Sequence, residues 1–447
     1  MTSPQHTFLG LPWPVWLEGA VLVLTAPFLL FPTVRPAGTV VALCLLAVNW
    51  ALQIATNRRT FTPTPFDGAL LLWAVTVAVG ILVTPFPDLT LPKATGLLLG
   101  MATWRFLSRA VTDRRTLRWA VAGLVGFGIA ITAVGIVSVR WPEKVPFVSR
   151  WVEIGMPTNP VRLPGGPESG VSANQLAGTL VFYLSLPLSS LLAGRESRGR
   201  GRIARAVLLL AVAGALAVLL LLTQSRGAWL GAGLGGLLLL ALWGLALPRS
   251  RRRRAMWVVC ALGVLAIGLG AAAIGPERLQ ALWQEPGRMT ALGNLGSLGF
   301  RQEVWRWALM ATQDFLFTGC GLGTFREVVR LLYPLNVAPG YDIAHAHNIF
   351  LQVALDVGVP GLIAYIALLG IAAWVGLRVA RRDATLRPLA LGLVGGLGAL
   401  HIYGLMDALA PGSKPGLVLW VALGLLTAME NNVRMENQRV SERASKR

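Results

Sequence analysis

The sequence predicts an all-α polytopic membrane protein with about twelve transmembrane helices. Three observations carry this prediction. Of the 447 residues, 55% are hydrophobic and only 13% charged, a balance that suits burial in lipid better than a water-soluble domain of this length. Apolar runs of about 20 residues, enough to cross a bilayer, recur along the chain. The Lys and Arg residues gather in short clusters between those runs, on alternate connections, as topogenic charge does. A net charge of +20 can signal nucleic acid, but here the cations track helix ends. They are therefore assigned to topology and to attraction for anionic membrane lipids, and no nucleic-acid partner is expected.

In order, the apolar runs place spans at residues 15–31, 37–55, 66–84, 92–106, 117–139, 171–193, 204–222, 227–247, 255–274, 348–377, 388–407 and 415–429. The first lacks a preceding basic region and is interrupted by Pro12, Pro14 and Pro27, so it reads as a retained span and not a cleaved signal peptide. With the N-terminus inside, the connections holding Arg58 and Arg59, Arg114 and Arg115, residues 195–205, residues 249–254, and Arg381 and Arg382 all face the cytoplasm. The basic tail 430–447 joins them. The opposite orientation would put every strong Arg cluster on the wrong side. Residues 1–447 thus form one integral membrane domain. Cys44 and Cys260 fall inside apolar runs, which leaves Cys320 without an outer partner, and no structural disulfide is expected.

This orientation leaves two long outer segments, 140–170 and 275–347. Loops of that length usually form a lid, a binding surface or a disordered insert. In the second, the amphipathic stretch 300–317 could lay Trp305, Trp307 and Phe315 in the headgroup layer while Arg301 and Arg306 meet phosphates.

Three outer features bear chemistry. Arg226, in Gln224-Ser225-Arg226-Gly227-Ala228-Trp229, sits at a turn between two strongly apolar helices. It either snorkels to the surface or pairs with an acid, carbonyls or an anion, and its planar fork suits phosphate oxygens. Arg301 and Glu303 precede the glycine-rich Thr318-Gly319-Cys320-Gly321-Leu322-Gly323-Thr324-Phe325. No Lys-Ser or Lys-Thr pair follows these glycines, so they read as a flexible turn and not a nucleotide-binding loop. His345 and His347 stand at the outer end of a long apolar helix, where residues at i and i+2 do not share a helix face. No third ligand is obvious, so zinc is not expected. A neutral imidazole there can accept a proton from an attacking hydroxyl. Asn348 is placed to cap the next helix or orient a histidine.

Taken together, Ser225-Arg226-Gly227-Ala228-Trp229, Arg301 with its Trp-rich helix, residues 318–325, and Ala344-His345-Ala346-His347-Asn348-Ile349-Phe350-Leu351-Gln352 followed by Asp356-Val357-Gly358-Val359-Pro360-Gly361-Leu362 resemble the bacterial O-antigen ligase and O-antigen polymerase superfamily. The resemblance covers about residues 223–363 and implies a fold like that of the GT-C glycosyltransferases. It implies inverting transfer of a glycan from an undecaprenyl-diphosphate carrier to a glycolipid or glycan acceptor, such as lipid A core, on the outer face of the bacterial inner membrane, without metal or cofactor. By the same resemblance Arg226 and Arg301 hold the diphosphate and His347 is the catalytic base, with His345 a weaker match for that role. The family often has Glu where this chain has Asp356. A surface-polysaccharide polymerase would use the same chemistry. From another class, a small-anion transporter could use Arg226, although no internal repeat supports it.

Overall fold

The computed structural model describes residues 7–8, 11–56, 63–139, 141, 171–194, 201–284, 289–290, 293–294, 296–334 and 343–445. Apart from two short antiparallel pairs, Thr7–Phe8 with Leu11–Pro12 and Met289–Thr290 with Gly293–Asn294, the ordered elements are helices. The first half holds α1 (Trp13–Leu30), α2 (Pro36–Thr56), α3 (Asp67–Leu82), α4 (Pro87–Ala110), α5 (Arg114–Ser138), α6 (Ala173–Ala193) and α7 (Arg202–Leu222). There follow α8 (Arg226–Ala246), α9 (Arg251–Ile274), α10 (Pro276–Gln284), α11 (Gly296–Asp314), α12 (Phe325–Leu332), α13 (Ile349–Arg382), α14 (Arg387–Tyr403) and α15 (Leu417–Ser445).

Local chemistry sets several starts. Asp113 caps α5 by accepting from the backbone N–H groups of Arg115 and Thr116, while the Thr116 hydroxyl returns the bond to the cap in a capping box. Ser250 caps α9 through the Arg253 N–H.

Each of the twelve predicted spans lies in a helix, but only eight of the described helices are long and apolar enough to cross a membrane: α1, α2, α5 to α9 and α13. The others fall short for visible reasons. Helix α3 has 16 residues and α14 has 17, while α4 carries Lys93, Arg105 and Arg109, and α15 runs unbroken from its apolar start into the polar tail. The outer segment 140–170 lies outside the described residues, except for Trp141.

The core forms where α13, α14 and α15 pack against α3, α4, α6 and α8. Lipid offers no hydrophobic drive between helices, so close packing must hold them, and small residues permit it. A Cβ on Gly100 would fall 2.1 Å from Trp420, one on Gly178 would fall 2.4 Å from Tyr403, and one on Gly235 would fall 2.3 Å from the Ala399 methyl. Trp73, Trp243, Trp420, Tyr365 and Tyr403 are fully enclosed as a result. By contrast α7 and α9 turn Leu208, Leu210, Leu262 and Leu265 outward, as helices facing lipid do.

The helix ends predicted to be cytoplasmic meet one another. Buried Glu18 takes Arg105 at 3.1 Å and Arg109 at 2.7 Å, Arg114 pairs with Asp383, and Arg378 meets Glu430 at 3.2 Å. A carboxylate as enclosed as Glu18 needs such partners. At the opposite ends, the turns after α3, α7, α12 and α14 converge, and the candidate site lies there.

Helix α13 is two segments. Gly358 adopts φ 76°, and a Cβ there would sit 2.4 Å from the Phe317 carbonyl oxygen. The break lets the Val359 N–H donate to the Leu316 carbonyl at 2.8 Å, with Pro360 following where no amide proton is available.

Candidate functional site

The segment 343–348 carries both histidines into the convergence of helix ends. Asn348 closes it by accepting from the N–H groups of Phe350 and Leu351 at 2.9 and 3.1 Å, which caps α13. Its amide also donates to the Leu405 carbonyl at 3.3 Å, tying α13 to the turn after α14. His347 adopts φ 48°, a left-handed conformation that a non-glycine residue holds only when its surroundings over-determine it. Those surroundings are visible: Trp305 donates its indole N–H to the His347 carbonyl at 3.2 Å, and Phe300 meets the imidazole edge to face, with centroids 5.5 Å apart.

Sequence reasoning missed the acid that completes this cluster. Asp407, 5% exposed, lies in the turn after α14, with its Oδ1 3.3 Å from His345 Nε2 and 3.6 Å from His347 Nδ1. The His347 N–H donates to His345 Nδ1 at 3.2 Å. A ring nitrogen that accepts carries no proton, so neutral His345 is protonated at Nε2 and directs that proton toward Asp407. Burial pulls the His345 pKa down to about 4 against the attraction of Asp407, with the positive charges of His347, Lys93 and Arg301 adding to the depression. His347 Nδ1 is buried without a hydrogen-bond partner among the described residues. The cue that could have revealed Asp407 was a lone acid at the outer end of an apolar run, which is a functional-site candidate by default.

Asp407 also corrects the expectation that the histidine pair lacks a third ligand. The donor atoms of His345, His347 and Asp407 all lie within 4.8 Å of one another, so these residues could geometrically hold a metal ion.

Arg301 reaches the cluster from α11, donating its Nε–H to the Met406 carbonyl at 2.7 Å. Arg226 opens α8 and precedes Gly227, where a Cβ would lie 3.1 Å from Met406 Cβ. Arg301 and the first turn of α8, which carries Arg226, therefore both approach Met406, one residue before Asp407. Expectations for the helix carrying Arg301 need correcting. Trp307 does not lie in a headgroup layer: it is buried, stacked on Tyr333 at 5.7 Å, and donates to Glu303 at 2.7 Å. Trp305 is committed to the His347 carbonyl.

The glycine-rich turn is pinned in place. Asp356 accepts from the Gly323 N–H at 2.9 Å and from the Gln352 amide at 2.8 Å, and Gln352 in turn accepts from the Ala346 N–H at 2.9 Å. This relay fixes the glycine turn, α13 and the histidine segment in one register. The Cys320 N–H adds a bond to the Leu355 carbonyl at 2.8 Å, and burial pushes the Cys320 thiol up to about 12.

Residues 209–366 match the family model described as O-Antigen ligase. Over those residues, about a third of the chain, the protein is similar to that family. No curated protein matches the chain. The matched segment holds Arg226, Arg301, His345, His347, Asn348 and Asp356. Asp407 and the α4 residues beside the site lie outside it. The eight apolar helices and the match to this family model together support an integral membrane protein.

Proposed function

We propose that this protein is an O-antigen ligase that transfers a glycan from an undecaprenyl-diphosphate carrier to a hydroxyl of a glycolipid acceptor, with inversion, on the outer face of the inner membrane. The observation that carries the reading is the meeting of an Asp–His pair with Arg301, bonded to the Met406 carbonyl, at one end of the helix bundle, where the first turn of α8 also packs on Met406. His347 is the base, because Asp407 faces its Nδ1 while no described protein group bonds its Nε2. His345 is a poorer base, since its Nδ1 already accepts and its Nε2 proton points at Asp407. It acts instead to support the strained His347 backbone.

In the step we propose, His347 Nε2 takes the acceptor hydroxyl proton and Asp407 steadies the resulting imidazolium. The acceptor oxygen bonds to the anomeric carbon as the bond from that carbon to the diphosphate breaks. The polyprenyl diphosphate leaves with the bonding electrons, and Arg226 and Arg301 meet the charge it develops. A cation at the His–Asp cluster would be repelled by the Arg301 and Lys93 charges that act on His345, which favours a proton-transfer role over metal binding. A membrane-embedded GT-C-like arrangement suits such chemistry, with the carrier tail in lipid and the sugar in water.

The arginine roles are checked by binding of undecaprenyl diphosphate to the purified protein. Arg226→Ala and Arg301→Ala should each weaken it by on the order of tenfold or more, the worth of a charge-assisted hydrogen bond. Unchanged affinity in both would reassign them to structure.

A further inference from the structure

We infer that the cavity between the start of α7 and the α13–α14 connection binds one anionic glycerophospholipid, whose phosphate rests on Arg202 and Arg205 and whose acyl chains run along α7. This cavity lies at the helix ends opposite the candidate site, and its ligand does not depend on the transfer reading.

The back of the cavity is α6 held directly against α14. The Ser189 hydroxyl donates to the Pro388 carbonyl at 2.7 Å, and a Cβ on Gly392 would stand 3.2 Å from Leu186 Cδ2. Helix α7 packs on α6, and between its first turns and Ala384 and Thr385 a cavity of about 400 Å³ is left open. That volume falls within the range of ligand sites, roughly 300–1,000 Å³. Leu191, Ala206, Leu209 and Pro388 give the cavity an apolar wall, while Arg202 and Arg205 give it a charged one.

The two arginines stand one turn apart on α7, so their guanidinium groups can share one phosphate. Among the described residues neither forms a hydrogen bond or ion pair, and no acid lines the cavity. The acid of the neighbouring connection, Asp383, is already engaged. It pairs with Arg114 and accepts from the Thr385 N–H and hydroxyl at 2.8 Å each. Charge complementarity therefore calls for an anion, and depth in the bilayer selects a lipid as its source. Residues 206–222 carry no charge and rise about 26 Å, most of the roughly 30 Å hydrocarbon thickness. Arg202 and Arg205 thus stand at the level of lipid phosphates. Ile203, Val207 and Leu210 continue the exposed apolar face beside Ala206. A soluble anion would neutralise the arginines and leave the apolar wall bare, whereas a phospholipid covers both, as in basic pockets between membrane helices.

The test titrates phosphatidylglycerol, phosphatidylcholine or glycerol phosphate into the detergent-purified full-length protein and reads its unfolding temperature. Phosphatidylglycerol should raise it, phosphatidylcholine far less, and glycerol phosphate not at all. Arg202→Gln with Arg205→Gln should weaken phosphatidylglycerol binding by on the order of tenfold or more. Arg251→Gln with Arg254→Gln removes the same charge at the same spacing from the start of α9, and should leave binding unchanged. Ala206→Trp keeps both arginines and fills the cavity, and should weaken binding as the first pair does. Equal weakening by the two glutamine pairs would reduce the effect to undirected attraction and overturn the inference. Full binding by Ala206→Trp would place the lipid elsewhere. A shift with glycerol phosphate as large as with phosphatidylglycerol would make the ligand a soluble anion and overturn the lipid assignment.

Discussion

His345 and His347 are two residues apart and do different work because their nitrogens meet different partners. His345 spends both: Nδ1 accepts the His347 N–H and Nε2 faces Asp407. His345→Asn, which can still accept that N–H through its side-chain oxygen, should therefore keep a measurable share of transfer activity, whereas loss as complete as in His347→Ala would make His345 the base. The pH dependence of stability follows from the same residue. Burial lowers the His345 pKa from 6.5 to about 4, so the unfolded chain binds a proton over that interval that the folded chain refuses. Stability contributed by neutral His345 is present above pH 6.5 and is lost as pH falls toward 4. Thermal unfolding scans over this interval should show that decline, and His345→Asn should flatten it. A decline of equal slope in the variant would place the titrating group elsewhere.

At the scale of elements, the break in α13 is the joint on which the site is hung. Gly358 bends the helix so that Val359 bonds to Leu316, and the segment before the bend presents Gln352 and Asp356 to the histidine segment and the glycine turn. Gly358→Ala would combine an unfavourable φ with a clash against the Phe317 carbonyl. It should lower stability by roughly 1–3 kcal/mol, read as a fall in unfolding temperature of the detergent-purified protein. An unchanged melting temperature would mean that the bend is not strained against alanine. Much of this element-level logic was legible in the chain: the Asn348 cap, the glycine turn after Asp356, and the apolar stretches that became helices. What was not legible has a physical cause. Asp407 reaches the histidines through the packing of α14, and no local periodicity encodes which helix ends will meet. The amphipathic pattern of α11 was visible, but a pattern cannot tell a lipid surface from a protein one. Trp307 therefore turned up stacked on Tyr333 instead of lying among headgroups.

For the whole molecule, one set of described helix ends gathers Arg, Glu and Asp into ion pairs and the other gathers the two histidines, Asp407 and Arg301. The division follows the charge pattern along the chain, and on the proposed reading an apolar flank would take the carrier and a polar end the sugar and its acceptor. The matched segment holds Arg226, Arg301 and both histidines, while the loop after α14 holds Asp407. The proposed site is thus completed only by the assembled bundle. The most direct measurement incubates the purified protein with an undecaprenyl-diphosphate-linked oligosaccharide and a lipid A core acceptor, and follows which lipid gains mass. The acceptor should gain the whole glycan with the unaltered protein and none with folded His347→Ala. Undiminished transfer by that variant, or no transfer by the unaltered protein to any hydroxyl acceptor, would contradict the account.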